Sequence, residues 1–235
     1  AGHGNNAQYL IEWLEQPQHW RLIDQDSKLL AHAQKTLLPK LGQRHTLQTL
    51  TADLNHLDLV ALNEQWPIDL VTASALFDLA SAEWLSKLVD QVTSIGALAL
   101  WVLNVNGYWK IEGSKHPLDA TIRAAFNQHQ TKAKGLGEGR ALGAMAVVEA
   151  ERLFKARGYQ VQTQTSTWNL LAGSAYTKAM GFRLINGWHQ AACEMLPDQT
   201  DAFDVWFVHR QSELNHGTIS IQVGHTDLYA EPLAT

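Results

Sequence analysis

Short apolar runs alternate with amphipathic segments over residues 5–104, and this alternation restricts the fold more than any other feature. The pattern predicts helices at 5–16, 27–38 and 81–93, and strands at 20–24, 44–51, 68–73 and 97–104. Strands that are apolar on both faces are typical of a parallel sheet covered by helices on both sides. The sequence therefore predicts an α/β protein.

The pattern changes after Gly107, which with Asn106 is predicted to close the last of these strands. Residues 108–118 look irregular. Beyond them we expect helices at 119–130, 142–156, 175–195 and 200–215, a strand at 159–163, and a final strand over 218–230 with a bulge at Gly224. No internal repeat or low-complexity linker interrupts the chain, so a single domain over 1–235 is the simpler interpretation.

Composition narrows the class of partner. The chain has 235 residues, a net charge of −5 and one cysteine, Cys193. An acidic chain lacks the basic field that nucleic-acid binding needs, and one cysteine allows no internal disulfide, which fits a reducing compartment. No apolar run approaches the ~20 residues of a membrane span. We expect a cytoplasmic monomer or homodimer without a nucleic-acid or membrane partner.

Two glycines near the start, Gly2 and Gly4, precede the first amphipathic segment. Glycine allows a sharp turn and lets a ligand approach the backbone. Asp24 follows at the end of the next strand-like run, and a glycine turn, a helix, a strand and an acid is the order that holds a nucleotide ribose in Rossmann-like folds. The plainer alternatives are a flexible lead-in for the glycines and a helix cap or surface acid for Asp24.

The order of the motifs resembles that of class I S-adenosylmethionine-dependent methyltransferases over residues 1–105. The matching segments are the Gly2-x-Gly4 turn, Asp24, Asp53-Leu54, the strand and exit loop at 68–76, and the strand at 96–102. The resemblance implies a Rossmann-like, doubly wound, mostly parallel seven-stranded sheet with an antiparallel last strand and a helical insertion after the fifth strand. It also implies that the first strand of the family is missing and that the chain is truncated before residue 1.

The resemblance assigns residues 1–105 to S-adenosylmethionine binding and 106–235 to the substrate side. Gly2 and Gly4 would pack against the cofactor, and Asp24 would accept hydrogen bonds from the ribose hydroxyls. Asp53 would accept one from the adenine amino group, although it is also an ordinary loop acid. Two further groups of cofactor contacts are implied, namely Leu54 on the adenine ring and the small residues Ala73 and Ser74 beside the methionine moiety.

Methyl transfer requires alignment of the acceptor with the methyl group, and a base where the acceptor must lose a proton. The catalytic residues are not identified by any motif. The candidates for a base are His129, Asp78, His116 and Asp119. His129 could equally be a half-buried histidine on an apolar helix stripe, and Asp78 an acid that the dipole of the following helix favours.

Candidate substrate contacts lie in the second half of the chain. Trp109 is a candidate for lining a pocket, although tryptophans are more often core residues. The glycine-rich segment 129–140 carries Lys132, Lys134 and Arg140, which could meet an acidic substrate group, and its glycines could act as the hinges of a lid. A solvated loop is the plainer alternative.

Two other functions remain open. A nicotinamide-dependent oxidoreductase would share the glycine turn and the acid, but Tyr176 and Lys178 do not have the Tyr-x-x-x-Lys spacing of a hydride site. A non-catalytic member of the methyltransferase fold would bind a ligand without turnover. None of the 11 histidines has HxxxH or HExxH spacing, so no metal site is predicted. The sequence favours a small-molecule methyltransferase.

Overall fold

The computed structural model describes residues 1–42 and 45–233, which form two compact units that divide after Ile68. Residue 44, the predicted start of the second strand, and residues 234 and 235, the end of the predicted domain, lie outside the described residues. The border expected at residues 105/106 falls within one continuous strand. None of the described helices is long and apolar enough to span a membrane.

The first unit is a small α/β structure. Its elements are α1 (Asn5–Ile11), β1 (His19–Asp24), α2 (Ser27–Leu37), β2 (Thr46–Thr51), a 3-10 turn (Leu54–His56) and α3 (Leu59–Gln65). β1 and β2 run parallel, in register from His19↔Thr46 to Asp24↔Thr51. The core consists of small and aliphatic side chains from α1, β1 and α2, namely Ala7, Leu22, Leu30, Ala33 and Leu37.

Helix α1 is shorter than predicted. It ends at Ile11 rather than residue 16, and the amide of Gln18 explains the early end. The Nε2 atom of Gln18 donates hydrogen bonds to the carbonyl of Leu14, at 2.5 Å, and to the carbonyl of Ile11, at 3.3 Å. Because the last carbonyls of a helix have no partner within it, a side-chain donor stabilises termination at that point.

The second unit contains a mixed sheet with helices around it. Its elements are β3 (Leu70–Ser74), a 3-10 turn (Phe77–Leu79), α4 (Ala82–Ser94), β4 (Leu98–Glu112), α5 (Asp119–Gln130), a 3-10 turn (Gly143–Met145), α6 (Ala146–Ala156), β5 (Tyr159–Thr165), β6 (Trp168–Leu170), α7 (Ala175–Met195), a 3-10 turn (Pro197–Gln199), α8 (Thr200–His216) and β7 (Ser220–Pro232). The predicted helices at 119–130 and 175–195 have these bounds.

The strand order of this sheet is β3-β4-β7-β5, with β6 also paired to β7. β3 and β4 are parallel, and β7 is antiparallel to β4, β5 and β6. The last strand is therefore antiparallel, as predicted. The sequence predicts one mostly parallel sheet, and the described residues differ from this prediction. β1 and β2 form their own sheet, and β7 has antiparallel partners on both edges.

Strand β4 corrects two predictions. It does not close at Asn106-Gly107 but continues to Glu112, through residues that look irregular in the sequence. Its pairing jumps from Val105↔His225 to Trp109↔Val223, so the bulge lies in β4 rather than at Gly224. Gly224 faces that bulge, where a Cβ atom would lie 2.3 Å from Oδ1 of Asn106. The glycine is required for this close approach.

Candidate functional site

The backbone is strained directly after β3 and at the point within β4 where its pairing with β3 stops. Among residues 1–42 and 45–233, Ala75 and Leu103 are the two non-glycine residues with positive φ, 51° and 55°. Such backbone is uncommon and clusters at ligand-binding and catalytic sites. Ser74 and Val102 are the last paired residues of β3 and β4, the N–H of Ala75 donates to the carbonyl of Val102 at 3.0 Å, and the two strained residues follow directly. Ligands of open α/β sheets bind at this edge.

The structure places two predicted residues at this edge and adds a third that the sequence did not indicate. Ala73 and Ser74 end β3, in register with Trp101 and Val102 of β4. Asn104 is buried, and its Nδ2 atom donates to the carbonyls of Trp101 and Thr226. The Oδ1 atom of Asn104 has no hydrogen-bond partner within the described residues, which leaves an acceptor next to the strained residue Leu103.

Asp78 is a buried acid directly beyond this edge. It lies in the 3-10 turn after β3, and its exposed fraction is 8%. Burial raises the pKa of the Asp78 carboxyl, while its own backbone N–H and the charge of Lys134 act in the opposite direction. A carboxylic acid whose pKa is raised towards neutrality suits proton transfer.

The glycine-rich segment 129–140 is attached to the start of α4. The N–H of Ser81 donates to the carbonyl of Leu136 at 2.9 Å, and the N–H of Leu142 donates to that of Ala80 at 2.8 Å. Gly137 has a φ of 79°, and a Cβ atom there would lie 2.2 Å from Oγ of Ser81. The segment is therefore docked through its backbone rather than freely solvated at this point.

Two of the charged candidates of this segment have different surroundings. Lys134 is half-buried and acts electrostatically on Asp78. Arg140 is exposed and donates from Nη2 to Oγ1 of Thr131 at 2.5 Å and from Nε to the Thr131 carbonyl. Arg140 thus binds its own segment through two of its donors, and its assignment to substrate stays a prediction.

His129 is not brought to the strained edge by any contact in the structure. Its Nε2 atom lies 2.8 Å from Oε2 of Glu194 on α7, and Lys132 contacts the other oxygen of that carboxylate. Hydrogen bonds from Lys132 and His129 lower the pKa of Glu194. His129 therefore links α5 to α7 through a hydrogen bond, as its position on the helix stripe also allowed.

Trp109 is a core residue, which corrects its assignment as a substrate contact. Its exposed fraction is 2%, and its ring stacks on Trp188 with centroids 4.0 Å apart and an interplanar angle of 6°. The guanidinium of Arg123 lies 5.8 Å from the ring centroid of Trp109. The surrounding α5, α7 and α8 side chains leave the indole inaccessible to a ligand.

Asp119 binds a buried arginine, Arg210, and the charge of this arginine also acts on His116. Asp119 accepts from Nη2 of Arg210 at 2.5 Å and from Nε1 of Trp206 at 2.8 Å. Arg210 is completely buried and also donates to Glu213. Burial, followed by the charge of Arg210, lowers the pKa of His116. Both candidate bases therefore belong to a structural cluster.

In the first unit, the predicted glycine turn and acid are in direct contact. Oδ2 of Asp24 accepts from the N–H of Gly2 at 2.7 Å and from the amino group of Ala1 at 2.8 Å, and Oδ1 accepts from the N–H of Asp26 at 3.0 Å. Burial acts to raise the pKa of Asp24, but these hydrogen bonds outweigh it and bring the pKa to about 2. The carboxylate is ionised at neutral pH.

The remaining predicted cofactor residues also lie in the first unit. Gly4 has a φ of 80° and begins α1, and a Cβ atom there would lie 3.0 Å from Cβ of Ala33. Asp53 is exposed and caps a 3-10 turn by accepting from the N–H of Asn55 at 2.9 Å. Leu54 is the first residue of that turn and is half-buried. The contact made by Asp53 is that of an ordinary loop acid.

No protein-family model matches the sequence, and no curated protein sequence is similar to it. Solved structures do resemble it. A candidate methyltransferase of Bacillus halodurans C-125 is 12% identical, with a TM-score of 0.50 over 98% of this chain and 89% of the other. A mycolic acid cyclopropane synthase bound to S-adenosylhomocysteine is 13% identical, with a TM-score of 0.47 over 96% of this chain and 75% of the other.

A cyclopropane synthase of Mycobacterium tuberculosis is 12% identical, with a TM-score of 0.42 over 96% of this chain and 83% of the other. At such identities the likeness concerns the fold, and the Bacillus halodurans structure carries it. The chain has an α/β fold with a mixed sheet, similar to that of the Bacillus halodurans structure.

Proposed function

We propose that this chain is an S-adenosylmethionine-dependent methyltransferase that acts on a small-molecule acceptor. The observation that carries the proposal is the contact between Gly2 and Asp24, in which the N–H of the glycine turn donates to the acid that ends β1. A glycine turn joined to an ionised acid at a strand end is the arrangement that recognises a nucleoside ribose. When bound, S-adenosylmethionine supplies an electrophilic methyl group on a sulfonium.

The Asp24 carboxylate has acceptor positions for a ribose. A carboxylate offers about four acceptor positions, and the backbone N–H groups of Gly2 and Asp26 use one on each oxygen. A ribose diol donates two hydrogen bonds, and it would use the second position of each oxygen. The bonds from Gly2 and Asp26 would keep the carboxylate oriented.

The second unit contributes residues for the methionine moiety and for the acceptor. Ala73 and Ser74, which would lie beside the methionine moiety, have small side chains at the end of β3, and these leave room for a ligand. Asp78 would accept the proton that a hydroxyl or amine acceptor loses as the new bond to the methyl carbon forms. The charge of Lys134 would oppose the effect of burial on the pKa of Asp78 and favour the ionised carboxylate that accepts a proton.

The charge of the chain favours a small acceptor over a nucleic acid. A net charge of −5 disfavours binding to a phosphate backbone. A nicotinamide-dependent reaction is less well supported, because Tyr176 and Lys178 do not have the spacing of a hydride site.

The proposal is tested by calorimetric titration of the protein with S-adenosylmethionine, S-adenosylhomocysteine and NAD. We expect the two sulfur nucleosides to bind and Asp24→Ala to weaken them by about 1–3 kcal/mol, the loss that follows when buried hydroxyls are left unpaired. Asp58→Ala is the matched control, because the Asp58 carboxylate also accepts a backbone N–H of the first unit, that of Ala61, but has no proposed ligand. Equal affinity in Asp24→Ala and wild type would contradict the role of Asp24.

Turnover distinguishes the remaining alternatives. Protein incubated with labelled methyl donor and a panel of hydroxyl, amine and carbon acceptors should release S-adenosylhomocysteine with at least one of them. Binding of NAD in place of the sulfur nucleosides would favour the oxidoreductase alternative. Binding of S-adenosylmethionine without conversion by any acceptor would favour a non-catalytic ligand-binding protein.

A further inference from the structure

Three side chains with metal-binding atoms converge where α7 and α8 pack together. His189 and Cys193 are four residues apart on α7 and therefore lie on one face of that helix. Asp204 comes from the first half of α8. Nε2 of His189 lies 2.7 Å from Oδ1 of Asp204 and 3.4 Å from Sγ of Cys193. All three ligand atoms lie within 4.8 Å of one another.

The geometry of the cluster does not suit a catalytic relay. In a Cys–His–Asp relay the thiol and the carboxylate contact opposite nitrogens of the imidazole, as in the serine triad. Here both approach the same atom, Nε2 of His189. Three donor atoms that face a common point are instead the arrangement of ligands around a cation.

The spacing agrees with a tetrahedral transition-metal site. Zinc binds nitrogen at about 2.0–2.1 Å and sulfur at about 2.3 Å, so that two such ligands in a tetrahedron lie about 3.5 Å apart. The observed distance between Nε2 of His189 and Sγ of Cys193 is 3.4 Å. The 2.7 Å contact with Asp204 is a hydrogen bond, and it would open by roughly 0.6 Å to admit the metal.

The ring of His189 is held in place by packing. It stacks on Phe207 of α8 with centroids 4.6 Å apart and an interplanar angle of 20°. The side chain of His189 is 15% exposed and that of Asp204 is 58% exposed, so one side of the cluster is open to solvent. A cation could enter from that side, and a water molecule could complete its coordination.

A second histidine–carboxylate pair in the same unit provides a comparison. His129 and Glu194 have nearly the same separation, 2.8 Å, but the third member of that group is Lys132, a cation. A lysine beside the carboxylate repels a metal ion, whereas a thiol can ligate one. The two histidine–carboxylate pairs therefore have similar hydrogen bonds, but only the pair beside Cys193 has a third group that can bind a metal ion.

We propose that His189, Cys193 and Asp204 form a binding site for a zinc-class divalent cation that links α7 to α8. Imidazole, thiolate and carboxylate are the ligands that zinc accepts, and thiolate disfavours the hard cations magnesium and calcium. On binding, the thiol proton of Cys193 passes to solvent, and the sulfur bonds to the metal. Because the ligands come from both helices, the bound metal stabilises the folded state.

Cobalt titration of the protein without a polyhistidine tag tests this proposal. We expect a sulfur-to-cobalt charge-transfer absorption that zinc abolishes at equimolar concentration, and a zinc-dependent increase in Tm. His189→Gln and Cys193→Ser should weaken zinc binding at least tenfold, and His129→Gln, the matched control, should leave it unchanged. Cobalt binding without the sulfur absorption, or zinc binding by Cys193→Ser equal to that of wild type, would overturn the site.

Alkylation provides a second measurement that needs no variant. Cys193 is the one cysteine of the sequence, so the rate of its reaction with a thiol reagent reports on this site alone. Zinc should slow that reaction at least tenfold, and removal of zinc by a chelator should restore it. An alkylation rate that does not respond to zinc would count equally against the proposal.

Discussion

The backbone N–H of Leu103 donates a hydrogen bond of 2.7 Å to Oδ1 of Asp227, a residue 124 positions later in the chain. Leu103 has a φ of 55°, and left-handed backbone costs an L-residue roughly 1–2 kcal/mol. The same carboxylate oxygen accepts from Oγ of Ser166 at 2.8 Å. Asp227 therefore holds Leu103, within β4, in its strained conformation and links it to the loop after β5.

Replacement of Asp227 tests this role. We expect Asp227→Ala to lower the free energy of unfolding by about 1–3 kcal/mol, since it leaves the Leu103 N–H and the Ser166 hydroxyl without their acceptor. Asp227→Asn keeps an oxygen in the same position and should lose less. Urea unfolding monitored by tryptophan fluorescence measures both. If alanine and asparagine have the same effect, the hydrogen bond is not the source of the stability.

The contact between Leu103 and Asp227 is of a kind that the sequence does not predict. Helices α5 and α7 could be predicted with their bounds because each has one apolar stripe of its own. The joining of Leu103 to Asp227 could not, because no local pattern connects residues so far apart. In the same way, Asn106-Gly107 is a turn signal in the sequence, and only the pairing of β4 with β7 makes it a bulge.

The candidate site residues also differ in whether their contacts are local in the sequence. The contact of Gly2 with Asp24 lies within one glycine turn–helix–strand unit, and its spacing is visible in the sequence. Trp109 and Asp119 were indistinguishable from site residues until their partners, Trp188 and Arg210, were known. The spacing of His189 and Cys193 is also visible, but Asp204 belongs to another helix.

Lys134 should control the pH at which Asp78 loses its proton. The positive charge of Lys134 acts to lower the pKa of the Asp78 carboxyl, which burial raises. In Lys134→Met that pKa should therefore rise. If Asp78 is the base, activity falls as pH decreases through this pKa, so the acid limb of the rate profile should move to higher pH in the variant.

The matched control for this experiment is Lys132→Met, which removes the same charge from the same segment. Lys132 contacts Glu194 rather than Asp78, so its replacement should leave the acid limb in place. Asp78→Asn should remove the limb and lower kcat by roughly 10²–10⁴-fold, the usual contribution of a general base. A limb that stays in place in Lys134→Met would exclude Asp78 as the titrating base.

Gly137 should be required for docking of segment 129–140. A Cβ atom there would lie 2.2 Å from Oγ of Ser81 and 2.5 Å from Cβ of Trp84. We expect Gly137→Ala to cost about 1–3 kcal/mol of stability, as overpacking does. Hydrogen exchange of the Ser81 amide, which donates to Leu136, should accelerate in the variant.

Gly139→Ala separates backbone strain from steric conflict. Gly139 has a φ of 83°, close to the 79° of Gly137, but a Cβ atom there would have no neighbour within 4 Å. It should therefore show only the cost of left-handed backbone, about 1 kcal/mol, and leave exchange of the Ser81 amide unchanged. Equal acceleration in both variants would mean that strain alone, rather than contact with Ser81, governs docking.

The stability of the second unit should depend strongly on Asp119, because Asp119 is a partner of the buried Arg210. The guanidinium is completely buried, and Asp119 and Glu213 are its carboxylate partners. Removing one partner of a buried charge costs about 3–5 kcal/mol, because the remaining charge is left uncompensated. We expect a loss of this size in Asp119→Ala, measured by urea unfolding. The exposed pair of Glu83 and Lys87 provides a control, and Glu83→Ala should leave the free energy of unfolding nearly unchanged.

A double variant determines whether the loss comes from the charge. In Asp119→Ala combined with Arg210→Met, the buried cation is replaced by an apolar side chain of similar length, so the double variant should be more stable than Asp119→Ala alone. The bond from Nε1 of Trp206 to Asp119 is absent in both and cancels in the comparison. Because Nε of Arg210 has no partner within the described residues, methionine also removes an unsatisfied donor. A double variant less stable than Asp119→Ala would instead mean that the guanidinium stabilises the unit through Glu213 and Ser114.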